Sequence, residues 1–242
     1  MPSSNRSAAV AGSTEGGAAA FWDSALAIVA DVRAKSWREI MLAAAWVAES
    51  LASGHRVLAF GTGHSHALAE EFYARAGGLA EVEALLEPSL MLHEGPLKSS
   101  AFERVAGLGR VIWAQRARGA GVGDTLFVFS NSGRNPVPVE LASAARADGV
   151  RVVAVTSLRH SRATPAVGDG PRLFEVADLV IDNGGPVGDA VVRMGDVENS
   201  VGATSTITGA FIVEAIVCEA VSRLTAMGRT PRVLRSYNVE EA

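Results

Sequence analysis

Between residues 21 and 53 apolar side chains recur at three- and four-residue steps: Trp22, Leu26, Val29, Val32, then Ile40, Ala44, Val47 and Leu51. That period lines them along one helical face, and Gly54 ends the run. Residues 56–60 then form a short apolar stretch that predicts a buried strand. Gly61-Thr-Gly-His-Ser65 follows at once, and a helical pattern runs from 66 to 76 before Gly77-Gly78. A second strand fits either 82–86 or 90–92, leading into His93-Glu94-Gly95-Pro96. Residues 99–118 predict one helix, weakened by Gly107 and Gly109. The clearest buried strand is 125–129, with Ser130-Asn-Ser-Gly-Arg-Asn-Pro136 behind it. A helix at 137–148, strands at 151–156 and 179–181, and a long apolar helix at 204–227 complete the pattern. Strands alternating with helices of this length predict an α/β fold. It has an open, mostly parallel sheet with helices on both faces, a three-layer sandwich of the flavodoxin or Rossmann kind.

Residues 1–20 are small and polar with no sustained apolar core, so they read as a flexible tail and not a signal peptide. Residues 21–242 then form a single domain that begins with the N-terminal helix. No apolar run reaches the roughly 18 residues of a membrane span. The net charge of −4 comes without a basic stripe, which argues against nucleic acid as a partner. The chain has two lysines, Lys35 and Lys98, among 22 basic residues, an arginine bias read as coding composition. Its single cysteine, Cys218, cannot form an internal disulfide and is expected to be a buried, inert thiol in a cytoplasmic protein. Arg159, His160 and Arg162 read as a solvated loop.

Both glycine- and serine-rich turns stand where a strand ends and a helix begins, the edge of an α/β sheet at which ligands bind. Glycine lets the backbone approach a ligand, and the first helical N–H groups present the positive end of the dipole. Gly61, Gly63, His64 and Ser65 make the first turn; Ser130, Asn131, Ser132, Gly133 and Asn135 make the second. A plain alternative is helix capping, with Asn135 as N-cap. The first turn lacks the third glycine of a dinucleotide fingerprint, so no cofactor is expected.

With Gly61–Ser65 and Ser130–Asn135 in view, the chain resembles the sugar isomerase (SIS) domain family over residues 20–230. That family carries G-x-G-x-S after its first strand and an S-x-S-G-x-T-like turn after a later one; Asn135 replaces the usual Thr. The resemblance implies a sugar phosphate gripped by Ser65, Ser130, Asn131, Ser132 and Asn135. It also implies a homodimer or a dimer of dimers.

Isomerisation and elimination both begin by removing a proton beside a carbonyl, which requires a carboxylate or histidine within reach. The stretch 61–72 is similar to isomerases of seven-carbon sugar phosphates, but Tyr73-Ala-Arg75 stands where those enzymes carry Ala-Glu-Glu. The second turn is similar to that of N-acetylmuramic acid 6-phosphate etherases. Leu92-His-Glu-Gly95 and residues 182–189 resemble stand-alone SIS proteins similar to an N-acetylglucosamine-6-phosphate dehydratase. This implies a lyase that dehydrates an N-acetylhexosamine 6-phosphate. Glu94 is then the base at C2, His93, Glu71 or His66 the acid at the C3 hydroxyl, and Asn183 and Asp189 contacts to the sugar. An aldose–ketose isomerase or epimerase is the alternative, and a non-catalytic sugar-phosphate sensor a third. Glu70 and Glu71 equally suit the first turn of a helix without catalysis. His64, His66 and His93 do not make a convincing metal set, so no metal is expected.

Overall fold

The structure is a computed structural model that describes residues 16–165, 167 and 170–238. Its first helix, α1 (Gly17–Ala52), begins inside the segment read as a tail; residues 1–15 lie outside the described residues. β1 (Val57–Gly61) leads into α2 (His66–Phe72), which ends four residues before the expected 76. Of the two candidate second strands, Val82–Ala84 forms β2, whereas Pro88–Leu90 and Leu92–Glu94 are single 3₁₀ turns.

The single helix expected over 99–118 is two helices, α3 (Pro96–Phe102) and α4 (Leu108–Arg116). Gly107 breaks the run in a left-handed conformation with φ of 85°, while Glu140 accepts the Gly107 N–H on both carboxylate oxygens at 2.8 Å. A carboxylate there satisfies the orphan donors at the start of α4 and favours its dipole. β3 (Thr125–Phe129), α5 (Pro136–Ala147) and β4 (Arg151–Thr156) follow as expected. Arg159, His160 and Arg162 belong to a short helix, α6 (Leu158–Ala163), and not to a loop. After α7 (Leu173–Val176) and β5 (Leu179–Asp182) comes an unexpected antiparallel pair, β6 (Ala190–Val192) and β7 (Val201–Ala203). The long helix α8 (Ser205–Ala226) is the last helix among the described residues.

The five main strands are parallel in the order β2-β1-β3-β4-β5. Their side chains alternate between two buried faces. Val57, Ala59, Phe127, Phe129, Val153 and Val155 pack with α1, α2 and α8; Leu58, Phe60, Leu126, Val128, Val152 and Ala154 pack with α4 and α5. Phe72 meets Phe127 edge to face at 5.0 Å between ring centroids, tying α2 to the sheet. Cys218 corrects the expectation made for it. The buried positions of α8 include Ile212, Val213, Ile216, Val217 and Ala220, so Cys218 falls on the outer side and is exposed. No described helix is long and apolar enough to cross a membrane.

Candidate active-site cleft

In the order 2-1-3-4-5, the order in which the chain adds strands reverses at β1 and β3, and a crevice opens outside the carboxyl ends of those two parallel strands. Gly61 pairs with Phe129 in that register, so both turns leave the sheet at one level. They enclose a cleft of about 300 Å³ lined by Gly63, His64 and Ser65 from the first turn and Ser130, Asn131, Ser132 and Asn135 from the second.

The first turn is compact because position 61 has no side chain: a Cβ there would overlap the Ser65 backbone carbonyl. In the second, Gly133 takes φ of +57°, which few other residues tolerate. This turn is pinned to its surroundings. The Asn131 carbonyl accepts from Ser157 N–H at 3.1 Å and Thr156 Oγ1 at 3.2 Å, and the Gly133 carbonyl from Leu173 N–H at 2.8 Å. Ser130 Oγ accepts from Gly133 N–H at 3.2 Å, which leaves its proton to donate.

Asn183 is buried outside the cleft and donates Nδ2 to Asn131 Oδ1 at 3.0 Å. With its oxygen so engaged, Asn131 has its amide protons left for a ligand. The backbone N–H groups of Asn131 and Ser132 carry no bond to another described residue. Asn135 stands at the N-cap of α5, yet its side chain makes no capping bond, and its buried Oδ1 has no partner. Plain capping therefore does not account for that side chain. Neutral donors at the head of a helix suit an anion.

Among the described residues one carboxylate lines the cleft, and the sequence pattern does not point to it. Glu103, in the break between α3 and α4, accepts from Thr62 Oγ1 at 2.8 Å and from Arg104 Nη1 at 3.0 Å. Its side chain is 15% exposed. The residue reads as mid-helix surface in the sequence, and only the glycine at 107 signals the break that turns it inward. His160 also lines the cleft, and its Nδ1 accepts from Gly188 N–H at 3.2 Å, placing the neutral ring's proton on Nε2. Burial lowers the His160 pKa, with Asp189 opposing and Arg134 assisting.

The residues expected to carry catalysis stand elsewhere. Glu94 is exposed and paired with Lys98 at 3.0 Å, which holds its pKa below the usual range; its 3₁₀ turn lends Leu92 to the cleft instead. His93 is exposed beside it and outside the cleft lining. Glu71 shares Arg75 with Glu214, at 2.5 and 3.3 Å, between α2 and α8. His66 is buried at the first position of α2, and its Nε2 has no partner among the described residues. Asp189 caps α8, accepting from the N–H groups of Thr204 at 3.1 Å and Ser205 at 2.8 Å. Among the described residues no three His, Cys, Asp or Glu side chains are grouped to hold a metal.

Burial lowers the His66 pKa below its ordinary 6.5, outweighing the opposing charge of Glu70, with His93 adding to the lowering. The neutral ring is thus favoured in the fold, while the unfolded chain takes up a proton near pH 6.5. Stability contributed by this group is present above pH 6.5 and is lost as pH falls below it. Urea unfolding between pH 7.5 and 5.5 should show a steeper loss in wild type than in His66→Gln; parallel curves would refute it.

Known proteins share the sequence pattern and the fold of this chain. A family model described as SIS domain matches residues 20–157. The chain is 43% identical over 216 residues to UPF0309 protein BH3325 of Halalkalibacterium halodurans, covering 89% of this chain and 88% of that one. Its fold recurs in solved structures. A phosphoheptose isomerase from Francisella tularensis has a TM-score of 0.57 at 17% identity, covering 84% of this chain and 95% of that one. The phosphoheptose isomerase GmhA from Neisseria gonorrhoeae has a TM-score of 0.57 at 21% identity, covering 85% and 97%. With a match across more than half its length, and its two turns converging on one cleft, the chain belongs to the SIS domain family.

Proposed function

We propose that the cleft binds a sugar phosphate and that the chain is an enzyme that moves a proton at the carbon beside the opened sugar's carbonyl. The observation that carries this reading is the meeting of two hydroxyl- and amide-rich turns with a single carboxylate, Glu103, in one cleft. The phosphate rests on Ser65, Ser130, Asn131, Ser132 and Asn135 and on the free N–H groups of the second turn. Hydroxyls, amides and a helix terminus hold a dianion there without an ion pair. Ser132→Ala is expected to weaken binding of the phosphorylated sugar about tenfold, the worth of one hydrogen bond to a charged group. Affinity for the unphosphorylated sugar should hardly change, and equal losses for both would refute the clamp.

Glu103 acts as the base that takes the C2 proton, in place of the Glu94 expected from the sequence, because Glu94 lies outside the cleft lining. The structural likeness to phosphoheptose isomerases supports a shared first step, in which the C2–H pair moves to form an enediol or enol. If the proton returns at C1, the outcome is isomerisation. If the C3–O bond breaks instead, the C2 proton taken by Glu103 passes to the departing hydroxyl, to which His160 Nε2–H donates a hydrogen bond, and water leaves. The finer reading is this dehydration, with an N-acetylhexosamine 6-phosphate as substrate.

Incubating the protein with N-acetylglucosamine 6-phosphate in deuterated water separates these outcomes by mass. Loss of one water supports dehydration; with no water lost, deuterium at C1 supports isomerisation and deuterium at C2 supports epimerisation, the position being read by proton NMR. Binding without any turnover would overturn the enzymatic reading for this substrate. Glu103→Gln should lower turnover by on the order of 10²–10⁴ while sugar-phosphate binding persists. Unchanged turnover would show that another group is the base.

Two copies of the chain are proposed to pair through α1 and α8. Trp22, Leu26 and Trp37 form an exposed apolar stripe on α1, and Phe211 of α8 is 56% exposed beside it. Leu26, Trp37 and Phe211 border a largely apolar groove of about 930 Å³, a surface of the kind that marks an interaction site. Light scattering should give twice the chain mass for wild type and the single mass for Trp37→Glu. A monomeric wild type would refute the pairing.

A further inference from the structure

Whereas Ser130, Asn131, Ser132 and Asn135 line the sugar-phosphate cleft, Arg134 of the same turn lines a second cavity of about 570 Å³ beside α4 and α5. Its size falls within the range of small-molecule sites. Arg110 of α4 borders it too, and Val139, Ala144 and Ala147 give it an apolar wall. Neither guanidinium has a hydrogen bond or ion pair with another described residue, and Arg134 Nε is buried without a partner. The cavity's carboxylate, Glu140, does not answer either charge. Both its oxygens are held by the Gly107 N–H at 2.8 Å, and Oε2 also takes the Gly109 N–H at 3.3 Å.

A guanidinium N–H withdrawn from water and left unpaired is costly, and its planar fork is suited to an oxyanion. The wall differs from that of the first cleft: hydroxyls and amides predominate there, whereas Val139, Ala144, Ala147 and Pro171 predominate here beside Ser143 and Glu140. We propose that the second cavity is a separate anion-binding site for a small molecule that carries a phosphate or carboxylate on an apolar body. The anionic group is drawn to Arg110 and Arg134, and the apolar body lies against Val139, Ala144 and Ala147. This site is distinct from the cleft in which a hydroxyl-rich sugar phosphate is proposed to bind, and it stands whether or not that reading does.

Phenyl phosphate, an anion on a flat apolar ring, is the probe, followed by isothermal titration. Wild type should bind it, and Arg110→Gln should weaken that binding about tenfold, as loss of one charge-assisted bond predicts. Arg110 is exposed on a helix and glutamine is an equally good helix former, so the variant keeps the fold. Ser132→Ala should leave phenyl phosphate binding unchanged, and N-acetylglucosamine 6-phosphate should not compete with it. No binding to wild type would overturn the proposal, as would an Arg110→Gln isotherm that superimposes on it. Loss of binding in Ser132→Ala, or competition by the sugar phosphate, would assign the probe to the first cleft and overturn it equally. If the sugar phosphate fails to bind while phenyl phosphate binds in an Arg110-dependent way, only the reading of the first cleft falls.

Discussion

The register between β1 and β3 places Gly61 opposite Phe129, and the cleft depends on that pairing. The two strands are parallel neighbours, so their following turns emerge at the same edge and height. Both faces of the sheet are buried, and the side-chain period is two. A slip of one residue would therefore drive Phe127 and Phe129 out of their layer and into the opposite one. The packing of these rings beneath α2 and α8 thus enforces the alignment of the two turns. The core holds the site at a distance, without touching a ligand.

Around the cleft, several polar groups of the second turn are engaged by their neighbours. Asn183 occupies the oxygen of Asn131, Gly133 N–H occupies an Oγ lone pair of Ser130, and the ends of β4 and α7 hold the turn's carbonyls. What remains unoccupied at the cleft is mostly donor: amide protons, hydroxyl protons and two backbone N–H groups. An acidic chain can bind an anion in this way because none of these groups enters its net charge. The same turn carries one formal positive charge, Arg134, and the fold turns it away into the neighbouring cavity.

Reading the chain linearly succeeded where local chemistry and local structure coincide. The buried strands at 57–61 and 125–129 have no competing period, and the glycines and hydroxyls that follow them are legible as turns. It failed over 99–118, where apolar spacing continues across Gly107 as though the helix did. The break there is imposed by a carboxylate 33 residues away, since Glu140 satisfies the N–H groups that begin α4. That break brings Glu103 against Thr62. The attractive neighbour, His93-Glu94-Gly95, looked catalytic by its residue types, yet Glu94 lies at the surface with Lys98. Asp189 looked like a ligand to sugar because it sits in a glycine-rich loop; its carboxylate instead heads α8.

The sequence by itself determined the fold class, the two glycine- and hydroxyl-rich turns and the family likeness, because these rest on hydrophobic period and on glycines and hydroxyls close together in the chain. Tertiary structure decided which acid lines the cleft, which residues brace its turns, and where the arginine of the second turn points. Those are matters of direction and long-range contact. A helix broken by a distant carboxylate, or an asparagine oriented by another 52 residues on, leaves no trace in local spacing.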